Sequence, residues 1–120
     1  MLNDAKSFHK VFIATGYTDL RKGVEGLATI IRYCFDLDPF QKDILFLFCG
    51  KKTDRIKGLV WEGDGFLLLY KKLSIGCSFS WPRSGDGVLD ISQGQYRLLM
   101  EGFDIVAKHP IRESVPENLL

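Results

Sequence analysis

The sequence predicts an α+β fold, an antiparallel sheet of about four to five strands that carries two main helices. Residues 44–81 are the first indication, because apolar and alternating segments of strand length are separated there by Gly- and Asp-rich turns. The second is an amphipathic helical stripe over residues 19–35, and the third is a helix-capping pattern that opens residues 92–102. Strand, helix, antiparallel strands and helix follow in that order, as in an α+β domain.

Val11 to Ala14 is predicted to be a short strand, and a helix over residues 19–35 follows it. The helix is predicted because apolar residues recur at steps of four and three, which places them on one helical face. These residues are Leu20, Val24, Leu27, Ile31 and Cys34. We expect Thr18 or Asp19 to cap the helix, since a carboxylate in the first turn suits the positive end of the helix dipole.

Residues 44–81 are predicted to form a four-stranded meander. Its strands are Ile44–Cys49, Arg55–Trp61, Phe66–Lys72 and Cys77–Trp81. The first of them is apolar on both faces, and such strands are normally covered on both sides. Because only two helices are available as cover, either the sheet curls on itself or a partner protein buries one of its faces, and we expect the partner.

The second helix begins at Ser92, and Gln95 three residues later completes a capping box. We expect its apolar stripe to be buried against the sheet. The residues of this stripe are Tyr96, Leu99, Met100 and Phe103.

The chain has 120 residues, of which 46% are hydrophobic and 26% charged, and this is the length of one ordinary domain. We expect residues 1–105 to form a single globular domain, and residues 106–120, which contain Pro110 and Pro116, to form a loosely structured arm. The formal net charge is only +1. A polycation that binds nucleic acid through its overall charge is therefore excluded, and a nucleic-acid surface requires local segregation of charge.

The three cysteines are an odd number, lie far apart and include no C-x-x-C pair. This spacing favours neither a disulfide framework nor a zinc site, so we expect reduced thiols and no metal or other cofactor. The first residues do not resemble a signal peptide, and the longest apolar run, Ile44 to Cys49, is far too short to span a membrane. These features predict a cytoplasmic protein.

Charge is segregated along the chain. Residues 51–72 contain six basic and three acidic residues, whereas residues 86–104 contain four acidic residues and one arginine. Pairing of the strands would bring Arg55 and Lys57 near Lys71 and Lys72, with Trp61 and Tyr70 interleaved. We call the following set the basic edge: Lys51, Lys52, Arg55, Lys57, Lys71 and Lys72.

Basic side chains beside aromatic rings are suited to binding a nucleic-acid backbone. We therefore predict that the basic edge contacts DNA together with Arg21, Lys22 and Arg83. The alternative is that these residues are solvated strand ends, where lysines discourage pairing between sheet edges.

Catalytic chemistry has little support in the sequence. The strand-turn-helix at residues 14–19 lacks the Gly-Lys-Ser/Thr of a phosphate loop and carries an aspartate where a phosphate would lie. Glu62 and Asp64 have a spacing that could hold magnesium, but the flanking glycines explain Asp64 as a turn residue. No serine-nucleophile motif is present, so we assign no catalytic residue and no small-molecule substrate.

Several motifs in a fixed order resemble one family. They are Thr18-Asp19-Leu20-Arg21-Lys22-Gly23 with Gly26-Leu27, Phe46-x-Phe48 with Lys51-Lys52-x-Asp54-Arg55-Ile56-Lys57, Trp61-Glu62-Gly63-Asp64-Gly65-Phe66, Tyr70-Lys71-Lys72-Leu73, Phe79-x-Trp81-Pro82 and Leu98-Leu99-x-Glu101-Gly102. Over about Val11 to Ile105 the chain resembles the TnpB-type accessory protein, the second open reading frame, of the insertion sequence sixty-six family of bacterial mobile elements.

The resemblance implies an accessory role in DNA transposition, with the recombination chemistry carried out by a separate, larger transposase. The implied partners are DNA at the element ends and the transposase proteins; the resemblance leaves homodimer formation open and implies no membrane contact. The basic edge lies where this family has basic residues.

Two hypotheses follow. The first is a non-catalytic protein that binds DNA through the basic edge. The second is a protein-interaction module that docks on the transposase through the uncovered sheet face, the helix surface at Gly23 and Gly26, or the acidic segment 86–104. The two glycines are expected to let another backbone approach the helix.

Overall fold

The computed structural model describes residues 8–84 and 87–106. A five-stranded sheet carries a helix on each side of its central strands. The strands are β1 (Lys10–Ala14), β2 (Ile44–Cys49), β3 (Arg55–Trp61), β4 (Phe66–Lys72) and β5 (Val88–Ile91). The helices are α1 (Val24–Thr29), which continues as a π-helical segment (Ile30–Cys34), and α2 (Gln93–Met100). The predicted α+β fold is therefore confirmed.

The strands are ordered β4-β3-β2-β1-β5 across the sheet. Antiparallel pairing of β2, β3 and β4 confirms the first three strands of the predicted meander. In contrast, β1 is parallel to β2, with Phe12 opposite Phe46, and antiparallel to β5. The parallel pair arises because α1 carries the chain back across the sheet between these two strands, as a crossover connection must.

Both faces of the central strand are covered within the chain. All six residues of β2 are buried. On one face, Leu45 and Leu47 pack in a cluster with Tyr96 and Leu99 of α2. On the other face, Phe46 and Phe48 pack in a cluster with residues of α1 and the π-helical segment. The expectation that a partner buries one face of these strands is therefore wrong.

The segment Cys77–Trp81 supplies part of that cover and is not a strand, contrary to prediction. Phe79 and Trp81 are 3% and 6% exposed and belong to the same cluster as α2. The Trp81 indole donates a hydrogen bond of 2.8 Å to the carbonyl of Ala14. The alternating pattern of this segment thus reflects the burial of Phe79 and Trp81 in the core, on the face of the sheet that α2 covers.

The first helix begins at Val24 rather than at residue 19. Gly23 occupies the N-cap position without a side-chain cap. Asp19 does not cap the helix, because its carboxylate accepts hydrogen bonds from the backbone and side chain of Arg21. Leu27 and Ile31 are buried as predicted, but Cys34 is exposed.

Neither Gly23 nor Gly26 is in close contact with another backbone segment among the described residues. A side chain at Gly23 would meet no atom within 4 Å, and one at Gly26 would meet the side chain of Lys22 at 3.0 Å. Close backbone approach at these glycines is therefore not made within the described part of the chain, and approach by a partner protein stays a prediction.

The second helix agrees with the sequence at its N-terminus. The Gln95 amide donates to the Ser92 hydroxyl at 3.1 Å, and the Ser92 amide donates to the Gln95 side chain at 2.8 Å, which is the predicted capping box. Tyr96 and Leu99 are buried, whereas Phe103 is 57% exposed, contrary to prediction.

The predicted arm lies outside the described residues from 107 onwards, as does Asp86 of the acidic segment. Within the part of the chain that the structure describes, no helix has the length and apolar character needed to span a membrane.

Candidate nucleic-acid interface

A groove of about 790 Å³ lies on the β3–β4 side of the sheet, between the loop that follows β1 and the turn that joins β2 to β3. We call it the basic groove. It is lined by Tyr17, Thr18, Asp19, Leu20, Arg21, Gly50, Lys51, Lys52, Arg55, Lys57, Leu68 and Tyr70. Five of these residues are cationic and one is acidic, a formal charge of +4 in a chain whose net charge is +1. The remainder of the chain is therefore net acidic.

The floor of the groove is set by the register of two antiparallel strands. Arg55 lies opposite Lys72, and Lys57 lies opposite Tyr70, so these side chains share one face with Leu68. Lys71 lies opposite Ile56 and therefore belongs to the other face. The register thus brings together Arg55, Lys57 and Lys72 of the basic edge, and separates Lys71 from them.

Two cations of the floor are held by neighbouring groups. The Arg55 guanidinium donates to the Asp54 carboxylate at 2.9 and 3.2 Å, which raises the pKa of Arg55 and lowers the pKa of Asp54. The Lys57 ammonium donates to the carbonyl of Lys22 at 3.0 Å. These contacts fix where the positive charges lie along β3.

One wall of the groove is the loop after β1. The Thr18 amide donates to the carbonyl of Cys49 at 2.8 Å, which attaches the loop to the end of β2. Arg21 is paired with Asp19 at 2.8 Å, and hydrogen bonds from Arg21 lower the pKa of Asp19 to about 2. The Arg21 side chain is nevertheless 92% exposed.

Arg83 joins this wall to the opposite one. Its guanidinium donates to the carbonyl of Gly16 in the loop and, at 2.8 and 3.3 Å, to the carbonyls of Gly50 and Lys51 in the β2–β3 turn. Arg83 itself is not among the residues that line the groove. Arg83 is exposed, and in the structure its guanidinium joins the two loops that form the walls.

A profile of the family described as "IS66 Orf2 like protein" matches residues 9–110. The chain belongs to this family. Among its relatives is the uncharacterized protein y4jC of Sinorhizobium fredii (strain NBRC 101917 / NGR234), which is 35% identical over 95 residues, covering 79% of this chain and 80% of that protein. The uncharacterized protein y4hO of the same strain is 36% identical over 101 residues, covering 84% of each chain. No solved structure matches the chain.

Membership of the IS66 Orf2-like family confirms the resemblance drawn from the sequence motifs, and with it an accessory role in the transposition of insertion sequences. The match over residues 9–110 includes the whole basic groove.

The aromatic residues of this IS66 Orf2-like protein differ in part from the prediction. Tyr70 lies in the groove as part of its floor, but Trp61 packs instead against Phe40 and Phe66 at ring-centroid distances of 5.1 and 5.0 Å. Sequence reasoning missed Tyr17, whose ring centroid lies 5.7 Å from the Lys51 ammonium. The signal in the sequence was an aromatic residue directly after the glycine that closes the first strand. In the structure this glycine, Gly16, has a φ of +79° and turns the chain out of β1.

The acidic residues offer little support for a metal centre. Asp19 and Asp54 are each paired with an arginine. Within residues 8–84 and 87–106, no group of three or more His, Cys, Asp or Glu side chains is placed to hold a metal ion. The three cysteines are free thiols, of which Cys49 is buried and Cys34 and Cys77 are exposed. The chemistry that the groove itself offers is the binding of anions beside apolar and aromatic surface.

Proposed function

We propose that this IS66 Orf2-like protein is a non-catalytic accessory protein of transposition that binds DNA at the element ends through the basic groove. The observation that carries the proposal is the convergence of five cationic side chains in one concave surface of a nearly neutral chain. Such a surface attracts a polyanion and orients the protein towards it, because the field depends on where charges lie as well as on their sum.

The cations come from three separate parts of the chain, which supports a common role. Arg21 lies in the loop after β1, Lys51 and Lys52 lie in the β2–β3 turn, and Arg55 and Lys57 lie on β3. The two arginines each form a salt bridge with an aspartate. Among the described residues Lys51 and Lys52 have no ion-pair partner, so we expect them to contribute most to phosphate binding.

The test is fluorescence anisotropy of the full chain with element-end DNA across a salt series, using both the duplex and each of its single strands. If four cations each neutralise one phosphate, the slope of log affinity against log salt is about −3.6 for duplex and about −2.8 for single-stranded DNA. Scrambled DNA of equal length shows whether the protein distinguishes the ends.

The variant Lys51→Gln/Lys52→Gln is expected to weaken binding and to reduce the magnitude of the slope by about 1.4–1.8, since two phosphate contacts are lost. Arg97→Gln is the matched control. Arg97 is exposed on α2, and α2 packs against the sheet face opposite the groove. Absence of binding at low salt, or equal effects of the two variants, would contradict the proposal.

A second candidate function is docking on the transposase. The exposed apolar side chains Leu98 and Phe103, 42% and 57% exposed at the end of α2, favour a protein contact there. Co-purification with the transposase in high salt without DNA, lost in Leu98→Ser/Phe103→Ser, would support this candidate. Failure to associate, in a transposase that is itself folded, would count against it.

A further inference from the structure

We propose that the basic groove binds single-stranded DNA in preference to duplex, with bases stacked on Tyr17 and Tyr70. This inference rests on the proposed function, because it names the form of DNA that the groove takes. The preference for a single strand depends on the aromatic and apolar side chains between the cations rather than on the cations themselves.

The interior of the groove is aromatic and apolar. Tyr17 and Tyr70 are 66% and 55% exposed. Leu68, which lies on the same face of β4 as Tyr70, is 36% exposed. A duplex keeps its bases stacked inside and presents phosphates on a convex surface, so it would contact the cationic rim and leave these rings unused. A single strand can turn unstacked bases towards aromatic side chains while its backbone follows the cations.

Each tyrosine is accompanied by a lysine. Tyr70 lies directly opposite Lys57 in the β3–β4 register, where side chains of neighbouring strands are about 5 Å apart. Between the two walls, the Lys51 ammonium of the β2–β3 turn lies 5.7 Å from the centre of the Tyr17 ring in the loop after β1. The groove therefore has a tyrosine with a neighbouring lysine in two places, once on its floor and once between its walls, and each pair offers a ring for a base and a cation near the adjacent phosphate.

The spacing along β4 continues this pattern as far as Lys72, which is not itself a lining residue of the groove. Tyr70 and Lys72 are two residues apart on one face of β4, a separation of about 7 Å, and Arg55 lies opposite Lys72. A cationic pair thus follows the tyrosine along the strand. Since an aromatic ring stacks on any base, we expect binding that tolerates changes of DNA sequence.

The experiment compares a labelled single-stranded oligonucleotide of mixed sequence with the same strand annealed to its complement. We expect tighter binding of the single strand. Tyr70→Ala and Tyr17→Ala should each weaken single-strand binding about 5- to 150-fold, the equivalent of about 1–3 kcal/mol of stacking per base, and change duplex binding less than about twofold. Neither substitution should alter the salt slope, because stacking releases no counterions.

Tyr70→Phe and Tyr17→Phe are the matched controls, since they keep the ring and should retain single-strand affinity. Lys51→Gln/Lys52→Gln should weaken binding of both forms. Tyr17 lies in a loop and is largely exposed, so Tyr17→Ala decides the question even if Tyr70→Ala fails to fold.

Equal or tighter binding of the duplex, with alanine variants that behave like wild type, would overturn this inference and leave DNA binding through the groove intact. Absence of binding to either form would overturn the proposed function and this inference together.

Discussion

Replacing Arg83 by lysine separates two roles that this arginine could have beside the basic groove. If Arg83 contacts DNA by its charge, lysine retains the charge and most of the affinity. If it holds the groove walls, lysine fails, because a single ammonium cannot reproduce a planar guanidinium that reaches carbonyls in two loops. The structure favours the second role, since the guanidinium donates to the carbonyls of Gly16, Gly50 and Lys51.

The expected loss of stability follows from these bonds. Hydrogen bonds from a charged donor contribute about 1.5–3 kcal/mol each when they are well shielded. The Arg83 residue is exposed, one of the bonds is long at 3.3 Å, and water replaces the lost donors in part. We therefore expect R83A to lower the free energy of unfolding by about 1–3 kcal/mol. R83K should lower it by most of that amount.

Urea denaturation measures the stability of both variants, and hydrogen exchange locates the effect. The amides of Thr18 and Gly50 should exchange faster in both variants, because the loop and the turn are no longer joined through Arg83. DNA affinity should fall similarly in R83A and R83K, with an unchanged salt slope. The reasoning is refuted if R83K has wild-type stability and exchange while R83A loses about 0.9 from the slope, the result expected of a direct phosphate contact.

Three further predictions concern the second helix and the core. Ser92→Ala should lower the free energy of unfolding by about 1 kcal/mol in urea denaturation, because the capping bond to the Gln95 amide is lost, and Ser92→Asp should restore most of it; equal stability of all three proteins would contradict the capping role. Burial raises the pKa of the Cys49 thiol to about 11 from 9.0, so stability should decrease as pH rises between these values, where the unfolded chain loses the proton first. Iodoacetamide at neutral pH should modify Cys34 and Cys77 but not Cys49 in the folded protein, and all three in urea, as mass spectrometry would show; native labelling of Cys49 at the rate of Cys34 would contradict its burial.

The sequence predicted the elements whose causes are local. The β3–β4 hairpin follows from alternation and from turn chemistry, and Gly63 in its loop has the positive φ of +96° that favours glycine. The capping box of α2 is likewise complete within four residues. These features needed no knowledge of the rest of the chain.

Elements that depend on distant partners were not predicted. β5 has only four residues and becomes a strand by pairing with β1, which lies more than seventy residues earlier in the chain. The segment Cys77–Trp81 has the alternation of a strand, but burial of Phe79 and Trp81 in the cluster that covers the sheet takes it away from the outer edge of β4, where a fourth meander strand would have paired. Local pattern cannot distinguish these outcomes.

The candidate site divides in the same way. Charge counts along the chain identified the cations of the β2–β3 turn and β3, and strand pairing placed Arg55 and Lys57 on one face. The positions of Tyr17 and Arg83 depend on a loop that is attached to the end of β2 by the Thr18 amide, a tertiary contact with no sequence signature. Whether these residues bind DNA stays a prediction.

The position of β1 between β2 and β5 affects the order in which parts of the protein fold. The hairpins of residues 44–72 involve near neighbours in sequence and can close early, whereas the insertion of β1 requires contacts across the chain and is expected to be the slower event. The floor of the basic groove would then exist before its walls, which need the loop after β1 and Arg83. A nascent or partly folded chain would carry the lysines without the enclosing shape, so a complete groove would become available only once folding is finished.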